Sequence, residues 1–421
     1  MELNFENETQ DDSIINYLSD RIQLIEEEEK PITKVYKLKT NDTYKIIEYF
    51  LKLGDRPTNK SFYIVNLNEI EKKVKLWKKN LPRIEPYYAI KSNPDIMILN
   101  TLASLGCGFD CASETEINLA IETGVPREKI IFANPVKDKY ELEFARKENI
   151  DIVTFDSECE LDKIKVSHPD ANCVIRIVVD DSKSECQFGK KFGCSSEEVK
   201  DLLELARVDK LKVTGVSFHV GSNCRGEGQF DSAIKDSREV FRIAKEKGFN
   251  MNLLDIGGGF PGNDNKAFEK MSIEINNAID KYFYDIDDLK IIAEPGRYMC
   301  TTSHILVMNI IGIRVKKNDV GEMTYKYTVK ESIYGSFNNI KFDHAKPNIL
   351  AHSERDETKL YDSVIVGRTC DGDDFIADYV KLPKLAVGEW LYVENMGAYT
   401  RASLSTFNGF GAPNVYYILT C

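Results

Sequence analysis

The sequence predicts an α/β plus all-β chain: a parallel (β/α)₈ barrel of the TIM type, then a C-terminal β-sandwich or β-barrel domain. Eight apolar, strand-like runs alternate with helical patterns across about 215 of the 421 residues. Helix-start and helix-stop signals fall between those runs. After about residue 303, Gly and Pro punctuate strand-like runs and helical periodicity becomes scarce.

Residues 1–60 form an N-terminal segment, acidic at Glu26–Glu29, expected to pack with the β domain. It carries a strand pattern at Val35–Leu38 and a helix pattern at Ile46–Leu53, ended by Gly54. The barrel domain is expected over 61–303. Ser61–Val65 reads as a strand feeding a helix over Leu67–Lys79, whose charged face is solvated. The eight runs then follow at Tyr87–Ile90, Gly108–Cys111, Ile130–Ala133, Ile152–Phe155, Val174–Val179, Val213–Val220, Leu253–Ile256 and Ile291–Ala293. Ser113–Glu116, Ser157–Glu160 and Ser195–Glu198 have capping-box spacing, and Gly106, Gly124 and Gly248 fall where helices should stop. An open doubly wound sheet is the competing arrangement, but eight units favour closure. Over 304–421, strands are expected at Ile305–Val315, Tyr325–Val329, Ser363–Val366, Trp390–Glu394 and Val415–Leu419.

The charge balance is 56 − 68 = −12, which argues against a nucleic-acid backbone or an anionic membrane as main partner. The N-terminus lacks a signal-peptide pattern, and the apolar run Ile305–Ile313 is too short to span a bilayer. The ten cysteines show no paired spacing and no Cys/His cluster, so reduced thiols in the cytoplasm and no metal site are expected.

A barrel of this kind carries its chemistry where the strands end at their C-terminal side. Pro86-Tyr87-Tyr88-Ala89-Ile90-Lys91-Ser92-Asn93-Pro94 places Lys91 at such an end, with Pro94 suited to starting a helix. Burial there would lower the ammonium pKa and free a nucleophilic amine of the Schiff-base kind. A lone lysine is more often a surface group whose stem covers the strand end. The other polar strand-end residues are Asp110, Asn134, Asp156, Arg176, His219, Gly257-Gly258-Gly259 and Glu294-Pro295-Gly296-Arg297. The glycine triplet removes Cβ atoms that would hold backbone N–H groups away from phosphate oxygens, and Arg297 adds a forked cation. A phosphate site and an amine in one cup suggest pyridoxal 5′-phosphate, with Glu294 as partner of its ring nitrogen. His219 is either a satisfied core histidine or a ring lying on the pyridine, with Ser222 donating to the phosphate.

Tyr-Ala-Ile-Lys-Ser-Asn (88–93), Gly-Phe-Asp-Cys-Ala-Ser (108–113), Val-Ser-Phe-His-Val-Gly-Ser (216–222), Leu-Asp-Ile-Gly-Gly-Gly-Phe-Pro-Gly (254–262), Ala-Glu-Pro-Gly-Arg (293–297), Tyr-Gly-Ser-Phe-Asn (334–338) and Thr-Cys-Asp-Gly (369–372) together resemble the eukaryotic ornithine decarboxylase family. That family belongs to the fold-type III pyridoxal-phosphate enzymes, and the resemblance runs from about residue 60 to the last strand. It implies decarboxylation of L-ornithine to putrescine by a homodimer, each active site completed by the second subunit's C-terminal domain. It implies Lys91 as the Schiff-base lysine and His219 as the ring-stacking residue. Ser222, Gly259, Pro295, Gly296, Arg297 and Tyr399 belong to the cofactor site, and Glu294 faces the ring nitrogen. Cys370, from the partner subunit, is implied as the proton donor to the α-carbon. Phe342 and Asp343, with Asp371 from the partner subunit, are implied to receive the substrate's distal ammonium.

The chain departs from the family pattern at Val329-Lys330-Glu331-Ser332, where an Asn-Asp-Gly turn is usual, and at Arg368, where a proline is usual. The long C-terminal extension of animal members is expected to be missing, and an antizyme-like regulator is a partner the sequence allows but does not support. Lysine is the alternative substrate, because one methylene discriminates by only about 1–3 kcal/mol. Arginine would need a deeper pocket. A diaminopimelate-type enzyme would carry Cys-Glu-Ser at Cys370-Asp371-Gly372, and an alanine racemase would lack the paired distal carboxylates. A non-catalytic regulator of the same lineage is disfavoured because Lys91, Glu294, Arg297 and Cys370 are all present.

Overall fold

Strands buried on both faces need helices around them, and the apolar runs of this chain meet that need by closing on themselves. In the computed structural model, which describes residues 34–53, 60–317, 321–353 and 359–420, eight parallel strands form a closed barrel. In chain order they are β3 (Ile84–Ala89), β4 (Gly108–Cys111), β5 (Ile130–Phe132), β6 (Ile152–Phe155), β7 (Asn172–Arg176), β9 (Lys212–Ser217), β11 (Leu253–Asp255) and β12 (Lys290–Ala293). Closure is made where β12 pairs with β3 from Ile291–Ile84 to Ala293–Pro86. Tyr87, Ile131, Val174, Leu253 and Ile292 pack as a separate cluster inside the barrel, so the interior is filled rather than open. The Glu26–Glu29 and Gly54 expectations lie outside the described residues.

The helix signals divide by what else their side chains do. Ser195 and Glu198 make a complete capping box. Ser113 accepts the Glu116 N–H, but the Glu116 carboxylate accepts from Ala112 rather than from the cap. Ser157 begins its helix with no side-chain cap bond, and the Glu160 carboxylate of its expected box is engaged by the Lys137 N–H and by Lys137 and Lys163. A complete box at Asp138–Glu141 escaped the sequence reading. Gly106, Gly124 and Gly248 end helices at φ values of +85°, +76° and +89°.

That buried pair is a stability determinant. Lys137 Nζ is fully buried, lies 2.8 Å from Glu160 Oε1 and donates to the Asn134 carbonyl at 3.0 Å. It ties the turn after β5 to the helix Glu158–Ser167. Replacing Glu160 with glutamine would leave the ammonium without its counter-charge, which typically costs about 3–5 kcal/mol. Denaturant unfolding should show that loss, whereas a change under about 1 kcal/mol would mean the pair contributes little beyond packing.

The C-terminal expectation of strands is met by a nine-stranded mixed sheet in the order β1–β19–β2–β13–β14–β16–β17, with β18 pairing both β13 and β15. Here β1 is Val35–Leu38, β2 Phe62–Asn66, β13 His304–Lys317, β14 Met323–Val329, β15 Ile349–His352, β16 Tyr361–Val366, β17 Phe375–Leu382, β18 Trp390–Val393 and β19 Asn414–Thr420. The long β13 pairs with β2 and β18 in its first half and with β14 in its second. The change of partner falls at a register shift between Ile310 and Gly312, where a bulge bends the strand. Phe62–Asn66 pairs with β13 and β19 in this sheet, not with the barrel. The chain enters the sheet, leaves it to build the barrel, and returns at His304. The short ladder β8 (Ser184–Cys186) with β10 (Ser222–Cys224) was not expected, nor were β15 and β17.

Candidate active site

Lys91 reaches its place because the chain turns abruptly after β3. Ile90–Ser92 is a single 3₁₀ turn in which Ile90 and Ser92 are buried. Ser92 Oγ donates to the Ala89 carbonyl at 2.9 Å, and Asn93 Nδ2 donates to the Gly397 carbonyl at 2.8 Å, so the turn is pinned on both sides. Asp95, not Pro94, caps the following helix by accepting from Met97. With its neighbours buried, Lys91 points into a cavity of about 420 Å³ at the barrel mouth. Its side chain is 45% exposed, through that opening, and Nζ sits 2.7 Å from Asp110 Oδ2 at the end of β4.

The expectation of a lowered lysine pKa is overturned. Burial weakens the hold on the proton, but the charges of Asp110 and Glu294, with Tyr399 beyond, outweigh it and raise the Lys91 pKa above the ordinary lysine range. The opposing carboxylates come from other strands, which no reading of the local segment could count.

Glu294 ends β12 and Asp255 ends β11, and both are buried. Burial is the main cause that drives both carboxyls above their usual range, reinforced at Glu294 by the charges of Asp110 and Asp255. Asp255 Oδ1 accepts from the Gly257 N–H at 2.9 Å, while Oδ2 has no conventional partner. Burial thus favours the protonated form of both carboxyls.

His219 lines the same cavity. Its Nδ1 accepts the Gly221 N–H at 3.0 Å, and the Phe188 ring meets it edge-on at 4.9 Å. Burial, then the charges of Arg176 and Lys91, push its pKa well below the usual histidine value, so the ring is neutral with its proton on Nε2. Gly258 is required here, since a Cβ would stand 2.7 Å from that Nε2. At Gly257, φ is +60° and a Cβ would meet the Phe218 carbonyl at 2.1 Å. Two of the three glycines therefore serve the packing of the β9–β11 strand ends. The third, Gly259, has φ +108° and lies against Val220 and Gly221.

Arg297 extends from the β12 loop toward the same wall. It donates to Ser222 Oγ at 2.8 Å and to both Asp343 oxygens, at 2.7 and 2.5 Å. Its charge lies 5.0 Å from the centre of the Tyr399 ring. Tyr399 comes from the loop after β18, holds a strained φ of +54°, and donates its N–H to the Ser92 carbonyl at 2.8 Å. The β domain therefore supplies part of the barrel's pocket within one chain. A Cβ on Gly296 would press on Ser92 at 3.0 Å, so Pro295-Gly296 runs flush against the Lys91 turn. Asp343 and Phe342 close the cavity, the latter 76% exposed at its rim. A second polar cavity lies beyond the Arg297–Asp343 pair and shares Asp343 with the first.

Cys370 and Asp371 are not among the cavity's lining residues. They lie on the β16–β17 connection, Cys370 exposed, with Asp371 Oδ2 accepting from the Tyr334 hydroxyl at 2.5 Å. Sequence reasoning did not find Asn408 beside Cys370, or Phe188, Arg176 and Cys186 as walls of the cavity, although Arg176 and Asp110 stood among the strand-end residues. No group of three His, Cys, Asp or Glu side chains suited to a metal occurs among the described residues, and no helix among them is long and apolar enough to cross a membrane.

A lysine amine, a neutral histidine ring, the Glu294 carboxyl and Ser222 around one cavity, with Arg297 hydrogen-bonded to Ser222, match the needs of pyridoxal 5′-phosphate. Residues 67–301 match the family model described as the pyridoxal binding domain of pyridoxal-dependent decarboxylases. The chain belongs to the fold-type III pyridoxal-phosphate-dependent decarboxylases, and its activity is that of a carboxy-lyase acting on a basic amino acid with that cofactor. Among relatives, it is 45% identical to mouse ornithine decarboxylase over 372 residues, 86% of this chain and 81% of that one. It is 44% identical to antizyme inhibitor 2 of Xenopus laevis over 369 residues, 85% of this chain and 81% of that one. Among solved structures, the arginine decarboxylase of Paramecium bursaria Chlorella virus bound to agmatine superposes with a TM-score of 0.85 at 38% identity, covering 89% of this chain and 100% of that chain. The lysine/ornithine decarboxylase of Vibrio vulnificus complexed with putrescine gives 0.80 at 28% identity, covering 90% and 99%.

Proposed function

We propose that this chain decarboxylates L-ornithine to putrescine as a cytoplasmic homodimer. The observation that carries the reading is the placement of Asp343 across the same cavity as the Lys91–Asp110 pair. Arg297 fixes the Asp343 carboxylate in a bidentate grip. Lone pairs remain on both oxygens for a second cation, the substrate's distal ammonium. The similarity to proteins named ornithine decarboxylase adds to this support.

Pyridoxal 5′-phosphate, when bound, supplies the electron sink that lets the substrate carboxylate leave as CO₂. Lys91 Nζ would hold it, with Asp110 Oδ2 beside that amine at 2.7 Å. His219 would be its stacking residue, a ring without charge. Glu294, with Asp255 behind it, would be the partner of its ring nitrogen. Ser222, Gly259, Gly296, Arg297 and Tyr399 would hold its phosphate, with Pro295 shaping the turn. Phe342 walls the substrate's methylene chain. Cys370 of the partner subunit delivers a proton to the α-carbon, and the partner subunit's Asp371 faces the distal amine with Asp343.

The matched structures include enzymes whose names specify arginine and lysine/ornithine, so chain length is the property to test. CO₂ release from ornithine, lysine and arginine, measured side by side, should favour ornithine over lysine in kcat/KM by about 10- to 200-fold, the range one methylene allows. Equal rates on lysine, or a preference for it, would replace ornithine with lysine as the assigned substrate. No release from any of the three would leave a regulator of the same lineage.

A further inference from the structure

We propose that Asn408 is a positioning residue for the Cys370 thiol, an inference that rests on the proton-donor reading of Cys370. Two hydrogen bonds from one side chain carry it. Asn408 Oδ1 accepts the Cys370 backbone N–H at 3.0 Å, and Asn408 Nδ2 donates to Cys370 Sγ at 3.3 Å. The backbone N–H can only donate, so the first bond fixes which end of the amide faces the sulfur.

Asn408 holds φ at +57°, in the left-handed region that asparagine tolerates better than most residues. Its segment is anchored independently of the cysteine. Ser405 donates its N–H to the Tyr334 carbonyl at 3.0 Å and its hydroxyl to the same oxygen at 3.1 Å, and Phe407 stacks on the Tyr334 ring at 4.3 Å. The cysteine's own loop is tied down from the other side. Thr369 donates its N–H to Asp374 Oδ2 at 3.0 Å, and Asp373 donates its N–H to Asp371 Oδ1 at 3.0 Å. The amide thus bridges two fixed segments, with the thiol at their junction.

A proton donor must be held with its S–H aimed at one carbon, and must leave a stabilised sulfur anion once the proton is gone. The Nδ2–H on the sulfur meets both needs, since it limits rotation of the thiol and stays in contact with the sulfur once the proton has left. Backbone geometry and the amide can be separated by two substitutions. Asn408→Gly keeps the left-handed backbone accessible and removes both bonds. Asn408→Asp keeps the acceptor for the Cys370 N–H but replaces the N–H donor with a second anion.

In the holoenzyme, Asn408→Gly should lower kcat about five- to ten-fold with KM within two-fold, the effect of losing one functional hydrogen bond. Amine formed per CO₂ released should fall below one. Alkylation of Cys370 by iodoacetamide, read by peptide mapping against the exposed Cys159, should change several-fold because the amide no longer holds the sulfur. Asn408→Asp should fail to restore either quantity. The inference is overturned if Asn408→Asp returns both to the parent values, or if both variants alkylate at the parent rate. A Cys370→Ala control separates the two claims. An unchanged amine-to-CO₂ ratio there overturns the proton-donor reading and this inference with it. A lowered ratio there, beside unaltered Asn408 variants, overturns the inference alone.

Discussion

Replacing Lys91 with alanine should reduce turnover by at least about 10⁴-fold, because the lost amine acts intramolecularly, where effective molarities reach about 10⁵ M or more. The argument comes from position rather than from intrinsic reactivity. Lys91 is held as an ammonium by the carboxylates around it, chiefly Asp110 at 2.7 Å. It becomes a nucleophile only once the ammonium's proton has left. Borohydride treatment of the parent protein with pyridoxal phosphate should fix the cofactor on a peptide containing Lys91. The Lys91→Ala protein should show no reduced adduct at any lysine, and methylamine should restore a fraction of its turnover. A reducible adduct persisting on another lysine would remove Lys91 from its assigned role, whatever the activity.

The barrel was readable because each strand advertises itself locally. Gly108–Cys111 and Ile152–Phe155 are short apolar runs whose bounds follow from the residues on either side. The sheet was not readable to the same depth, since its order depends on partners far apart in the chain. Nothing within Phe62–Asn66 says that it pairs with Asn414–Ile418 and His304–Val307. The site shows the same division. Lys91, His219 and Glu294 stood out because they follow apolar runs. Their protonation did not, because Asp110, Asp255 and Arg176 converge on them only after closure. The glycine triplet was read as an anion cradle, yet Gly257 and Gly258 are also demanded by the Phe218 carbonyl and the His219 ring. Asn408 carried no signal at all, for an Asn-Gly pair in a loop reads as an ordinary turn.

Glu294 offers the second large effect, and its sign on stability is opposite to its sign on activity. Substitution by glutamine preserves shape but removes the titratable proton that the proposed function sets beside the cofactor's ring nitrogen. Removing one preorganised electrostatic group of this kind typically costs about 10²–10³-fold in kcat. Stability follows from the buried carboxyls. Burial, then the charges of Asp110 and Asp255, raise the folded-state pKa of Glu294 above its unfolded value near about 4.3. The folded protein therefore binds more protons than the unfolded chain above that pH, and its stability falls as pH rises through the window. One proton contributes a slope of at most about 1.4 kcal/mol per pH unit. Without cofactor, Glu294→Gln should flatten the fall above the unfolded glutamate pKa of about 4.3 and melt higher than the parent once the fall is complete, as expected where a site is built at the expense of stability. Melting curves across that window, paired with kcat, decide the matter. Parallel pH–stability curves would show that Glu294 is not the group holding the extra proton. A kcat within about three-fold of the parent would show that the proton beside the ring nitrogen does not limit the reaction.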